Sequence, residues 1–276
     1  LCRRYVHPKL RSKMDTIKSL WLKLTLIWTI DNFIRLINAI SSLTFLIYIY
    51  AMFVAPFIDG KGRWDYVHDV WYSWQALNVG MLAFGSSVIA FNISRYNADK
   101  QREREFIAAK AFLPESLSEL TNYFKKCTPM LVEAWNRAAD KSDLCNTQLL
   151  NTLPPLPNSY RAIFSSCIST ADKNVGEYLA YILTRLQIHH SRLKSLESDF
   201  SDDEGMVQIP TNILSYMYRL AELQALVNKL FGYARSTEEF NDKKITLEQL
   251  ETGYNVLNIE VEDIDGLWDL TVRLNK

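Results

Sequence analysis

Cysteine is scarce in this 276-residue chain. Cys2, Cys127, Cys145 and Cys167 form no C-x-x-C pair and no dense framework, which excludes a disulfide scaffold and points to free thiols in a reducing compartment. Catalytic signatures are missing too: there is no G-x-x-x-x-G-K-[ST], no G-x-G-x-x-G, no H-E-x-x-H and no G-x-S-x-G. The acidic turn around Asp199–Gly205 (DFSDDEG) lacks the D-x-D-x-D-G spacing of a calcium loop and reads as a solvated turn. No stretch shows the polar–apolar alternation of a half-buried strand. The expectation is a protein with no cofactor, no metal site and no enzymatic activity.

Net charge is absent overall, with 31 basic and 31 acidic side chains, but the zero hides an uneven distribution. Residues 1–35 carry +6, residues 59–69 carry −1, and the chain from residue 70 onward carries −5. A mildly acidic body argues against direct nucleic-acid binding by that part.

Long uncharged runs, by contrast, occur twice. Leu36 to Ile58 (LINAISSLTFLIYIYAMFVAPFI) contains 23 residues without a charge. At ~1.5 Å per residue it spans roughly 34 Å, enough to cross a bilayer with slight tilt. Val70 to Ser94 (VWYSWQALNVGMLAFGSSVIAFNIS) is a second such run. Two in tandem argue against buried helices of a soluble protein. The first also exceeds the apolar core of a signal peptide, and no A-x-A pattern follows it. The fold class expected is all-α: an N-terminal two-helix transmembrane hairpin over 36–94, with spans at about 36–58 and 72–94, and a cytoplasmic helical domain over 95–276.

The flanks set the orientation. The short loop DGKGRWDYVHD is slightly acidic, whereas Arg95, Lys100, Arg102, Arg104 and Lys110 follow the second span and a basic segment precedes the first. Lys/Arg excess stays cytoplasmic, so both termini are expected on the cytoplasmic side. Trp64, Tyr66, Trp71, Tyr72 and Trp74 crowd the external turn, where amphipathic rings suit headgroup depth. Upstream, Leu20, Trp21, Leu24, Leu26, Ile27 and Trp28 with Lys18, Lys23 and Arg35 fit either an interfacial helix or a backward extension of the first span.

The second span has two faces. Ala76, Gly80, Ala83, Ser87, Ala90 and Ser94 form a stripe of small side chains, which lets another backbone come close and predicts self-association through this helix. Asn78, Gly85 and Asn92 recur every seven residues on the opposite side. The two amides are expected either to face a second copy or a water-filled gap, or to lie hydrated near the interfaces.

Beyond the hairpin the apolar period stays near 3.6. A helix is predicted through NADKQREREFIAAKAF, stopping before Pro114, with Ser116-x-x-Glu119 as a capping box opening the next and another near MLVEAWNRAA. DKSDLCNTQLLNTLPPLPNS reads as an internal loop. Val175, Leu179, Ile182, Leu186, His189, Leu193 and Leu196 then repeat in four-three spacing, as do Ile213, Tyr216, Leu220, Leu223, Val227, Leu230 and Ala234, predicting a long antiparallel helical hairpin. His189, inside the first seam beside His190, reads as a hydrogen-bonded polar residue that sets register, or as a histidine poised to titrate. Thr246-x-x-Gln249 caps a penultimate helix, and VEDIDGLWDLTVRL supplies the last.

This order of parts, a hairpin over 36–94 followed at once by RYNADKQREREFIAAKAFLPESLSEL and a helical body, resembles the two-transmembrane effector proteins of bacterial anti-phage systems, including the membrane effectors of retrons. The resemblance lies in architecture and carries no functional residue with it. It implies a toxin-like protein, held silent until infection by a regulatory protein or protein–nucleic acid complex, that then damages the inner membrane. The competing expectation is a membrane-anchored scaffold whose body docks a partner while the hairpin serves as anchor.

Overall fold

The computed structural model describes residues 30–140, 148–201 and 209–276. The expected N-terminal basic helix lies outside them up to residue 29, as do Cys2, Cys145 and most of the acidic turn. Among the described residues the chain is helical without a strand. It divides into two compact units, residues 1–98 and 99–276.

In the first unit, α1 (Ile30–Ile49) runs into a π-helical turn (Tyr50–Val54) and a short α2 (Ala55–Asp59). The cause is Pro56. It has no N–H to give the carbonyl of Met52, and its ring clashes there in an α register. The turn that follows is a Schellman motif: the Gly62 N–H bonds Phe57 O at 2.9 Å and the Lys61 N–H bonds Ile58 O at 3.0 Å, with Lys61 left-handed at φ 50°. Gly60 is required by space. A Cβ there would stand 2.9 Å from both Pro56 O and Tyr66 Cβ.

The return path is not the single helix expected from about residue 72. It is α3 (Trp64–Ser73), a break at Trp74 (φ −109°, ψ 23°), and then α4, which extends from Gln75 to Ala139. The described residues contain two helices long and apolar enough to cross a membrane, Asn32–Asp59 and the start of Gln75–Ala139, and only 11% and 6% of their most apolar windows are buried.

The second unit corrects the reading of Pro114. Helix α4 does not stop there; Pro114 and Pro129 both lie inside it, and the expected capping box does not form, because Ser116 is buried mid-helix. A proline in a helix interior costs about 3 kcal/mol. Each fully buried Leu or Phe returns about 1.5–3 kcal/mol. Leu113, Leu117, Leu120, Phe124 and Leu131 are all at 1% exposure or less on one face of this segment, so continuity wins. Pro129 and Lys125, whose carbonyl it leaves without a helical donor, lie on the exposed face.

A helix unsuspected from the pattern, α5 (Ser159–Thr170), buries Tyr160, Phe164 and Cys167. Helices α6 (Lys173–Asp199) and α7 (Pro210–Ala234) form the expected hairpin; Tyr178 near the start of α6 bonds Leu226 O late in α7, as antiparallel packing requires. Every seam position named above is buried except Tyr216, which is half-buried. α8 (Leu247–Leu257) opens on the expected Thr246–Gln249 capping box and packs closely on α7, where a Cβ on Gly253 would meet Ala221 O at 2.8 Å. α9 (Leu267–Asn275) closes the core through a buried bond between Tyr254 and Thr271 at 2.7 Å.

Candidate functional site

The polar side chains of the apolar hairpin form two rungs between its helices. At one rung Asn38 Nδ2 donates to Asn92 Oδ1 at 3.0 Å and Asn92 Nδ2 donates back to Asn38 Oδ1 at 3.1 Å. The second Asn92 amide hydrogen goes to Val88 O, one turn back, at 2.9 Å. At the other rung Tyr48 Oη donates to Asn78 Oδ1 at 2.7 Å, and Asn78 Nδ2 donates to Trp71 O at 3.0 Å. The Trp71 indole N–H in turn donates to Met52 O at 3.1 Å.

This second rung repairs both helix irregularities at once. Met52 O is the carbonyl that Pro56 cannot serve, and Trp71 O loses its regular partner at the Trp74 break. In hydrocarbon an unpaired backbone carbonyl costs several kcal/mol, so one side chain for each is a large return. Trp71 is also wedged edge-on against Phe53, with ring centroids 4.8 Å apart.

Within the chain itself both amides find partners. Asn78 is only 6% exposed, and both Asn78 and Asn92 are satisfied inside the hairpin. A lateral groove of about 310 Å³ opens beside the first rung, lined by Asn38 and Asn92 together with Ser41, Ser42, Phe45, Phe84, Gly85 and Val88. The opposite side of the helix, with Ala76, Gly80, Ala83, Ser87 and Ala90, is exposed, and nothing lies within 4 Å of a Cβ built on Gly80. The Ser87 hydroxyl bonds Ala83 O at 2.8 Å and asks nothing of a partner. Leu36, Ile40, Leu43, Leu46, Val79, Leu82 and Ile89 complete an apolar exterior, each more than half exposed.

No family model matches the chain, and no curated protein or solved structure is significantly similar to it. Its chemistry is read from its own residues.

In the second unit His189 sits in the α6 seam at 3% exposure, where the spacing put it, but it is not the hydrogen-bonded residue anticipated. Neither ring nitrogen has a partner among the described residues. Burial, aided by the nearby Arg192 and His190 charges, holds its pKa down at about 3, so the ring is neutral at physiological pH. His190, its neighbour, is bonded through Nδ1 to the Tyr123 hydroxyl at 2.7 Å. Cys127 is fully buried and its thiol is pushed up to about 12 by burial, which leaves it inert as a nucleophile. No cluster of His, Cys, Asp and Glu suited to a metal occurs among the described residues.

What sequence reasoning missed was the partners. Asn38 and Tyr48 lie in the first apolar run, and the signal available was that an amide and a phenol in such a run need mates.

Proposed function

We propose that this chain is a membrane effector of an anti-phage, abortive-infection type, with its hairpin in the bacterial inner membrane, both termini cytoplasmic, and the helical body as regulator. The observation that carries the reading is the hairpin itself. Its exterior is apolar, its interior carries hydrogen-bonded amides among apolar side chains, and both helices are interrupted at the level of one hydrogen-bonded rung. A passive anchor needs neither interruptions nor amides in its interior. The closed hairpin is the silent form. On release from the body's control the rungs open, the amides and freed carbonyls become available to water or to another copy meeting at the Gly80 face, and the bilayer loses its seal.

Uncontrolled production should depolarise cells and stop growth. A potential-sensitive dye read after induction is the test: an unchanged potential at high membrane levels of the protein, with no regulator present, sinks this reading.

One observation favours a second reading. The hairpin pairs the side chains of both rungs within itself, as a stable anchor for a scaffold would. In that case expression is harmless, and exchanging residues 36–94 for an unrelated hairpin preserves whatever the body binds.

A further inference from the structure

The second unit holds a cleft of about 420 Å³ between α6, α7 and the segment 242–245, within the ~300–1,000 Å³ usual for small-molecule sites. Its composition is uneven. Tyr178, Tyr181 and Tyr218 form one wall, and Arg185, Arg219, Lys243 and Lys244 outnumber the two carboxylates, Glu222 and Asp242. Glu222 is already engaged with Arg219 at 2.7 Å. Arg185 has no ion pair among the described residues. Its Nε donates to the Tyr181 hydroxyl at 3.0 Å and its guanidinium lies 5.0 Å from the centroid of the Tyr181 ring, which fixes the fork in place and leaves its terminal amino groups to spare. Tyr181 is 41% exposed, so a large part of this aromatic side chain is open to solvent.

An independent observation points to the same place. A small hollow shares Arg185, Arg219 and Glu222 with the cleft and is completed by Arg192 and His189. His189 is the buried imidazole with two unpartnered nitrogens, and the hollow has room for about one oxygen atom. Three arginines and the unpartnered His189 ring surround this oxygen-sized space, and its one carboxylate, Glu222, is already paired with Arg219, so the spare donors call for an acceptor from outside. Phosphate oxygens are acceptors of that kind, and an aromatic wall beside them suits a planar ring.

We propose that this cleft binds a free nucleotide, its base stacked on Tyr181 and its phosphates held by Arg185 and Arg219 at the hollow beneath His189. The assignment does not depend on how the hairpin acts. It also sits beside the absence of a phosphate-binding glycine loop without conflict, since here side chains rather than backbone N–H groups supply the donors.

The test uses the full chain in lipid nanodiscs and the fluorescent analogue methylanthraniloyl-ATP. Binding should saturate below about 100 µM. Unlabelled ATP should displace the probe at least about tenfold more effectively than inorganic tripolyphosphate, because stacking contributes to one and not the other. Tyr181→Ala and Arg185→Ala should each weaken binding about tenfold, with Arg185→Lys intermediate because it keeps the charge but loses the fork. Unchanged circular dichroism in the Tyr181 variant, at a position 41% exposed, separates lost binding from lost fold. The proposal is overturned by the absence of saturable binding, by full affinity in the Tyr181→Ala protein, by tripolyphosphate competing as well as ATP, or by displacement with a single-stranded oligonucleotide but not with ATP.

Discussion

Asn38 and Asn92, 54 residues apart, hold each other by two reciprocal amide bonds of 3.0 and 3.1 Å. Both lie one turn inside the charges Arg35 and Arg95, at the open end of the hairpin. Each is the other's chief partner, so removing one strands the other. Asn92→Leu or Asn38→Leu alone should destabilise the hairpin by about 1–2 kcal/mol, and the double variant should cost less than the sum, with a coupling of about 0.6–1.7 kcal/mol. A double-mutant cycle of unfolding in mixed micelles measures this; strict additivity would mean the pair does not form.

Trp71 and Pro56 should be coupled in the same manner through a carbonyl neither of them owns. Trp71→Phe keeps the aromatic contact with Phe53 but leaves Met52 O without its donor, and should cost about 1 kcal/mol or more. In a Pro56→Ala background the helix can supply that donor itself, so the same Trp71→Phe change should cost little. Equal costs in both backgrounds would show that the indole bond is not compensating for the proline.

His189 makes stability depend on pH. Its folded pKa lies near 3, below the ordinary value of 6.5, so the unfolded chain binds the extra proton between those limits. The contribution is complete above about pH 6.5 and is lost as pH falls toward 3. Between pH 7 and about pH 5.5 the loss should be about 1 kcal/mol from this residue. The groups lining the same hollow are Arg185, Arg192, Arg219 and Glu222, the last two paired with each other. Thermal melts of the wild type and of His189→Leu, which continues the apolar seam, should diverge as the buffer is acidified through this window. Parallel curves would place His189 in water.

Orientation is read by thiol access. Cysteine at Asp65, in the first turn of α3, should react with an impermeant reagent in intact cells, and cysteine at Asn97 should not. The reverse pattern would place the body outside.

Much of the helical layout was legible because it rests on local rules. The four-three seams of α6 and α7 fall on buried positions from Val175 to Ala234, Tyr216 alone being half-buried, and Thr246 with Gln249 makes both capping bonds. The misreadings have a common source. Pro114 was expected to end a helix because a lost backbone bond is a local cost, whereas the burial of Leu113, Leu117 and Phe124 that outweighs it is tertiary. The break at Trp74 depends on Asn78 reaching back to Trp71 O, and the Asn38–Asn92 pair depends on a register set by the Gly60–Gly62 turn. Spacing within one helix holds no record of such pairings. The segment Ser159–Thr170, rich in serine and short, gave too weak a period to stand out from the proline-rich stretch before it.

The rungs divide their members unevenly along the chain, and this bears on biogenesis. Asn38, Tyr48 and the Met52 carbonyl all belong to the first segment, and every group that satisfies them comes from Trp71 onward. A ribosome making about 5–20 residues per second needs roughly 2–7 s to go from Ile58 to Ser94. Through that interval the first segment would meet lipid with an amide, a phenol and a carbonyl all unpaired. For a hairpin that crosses a bilayer, the expectation is that the two segments enter together, with the insertion machinery sheltering the first until the second has been made.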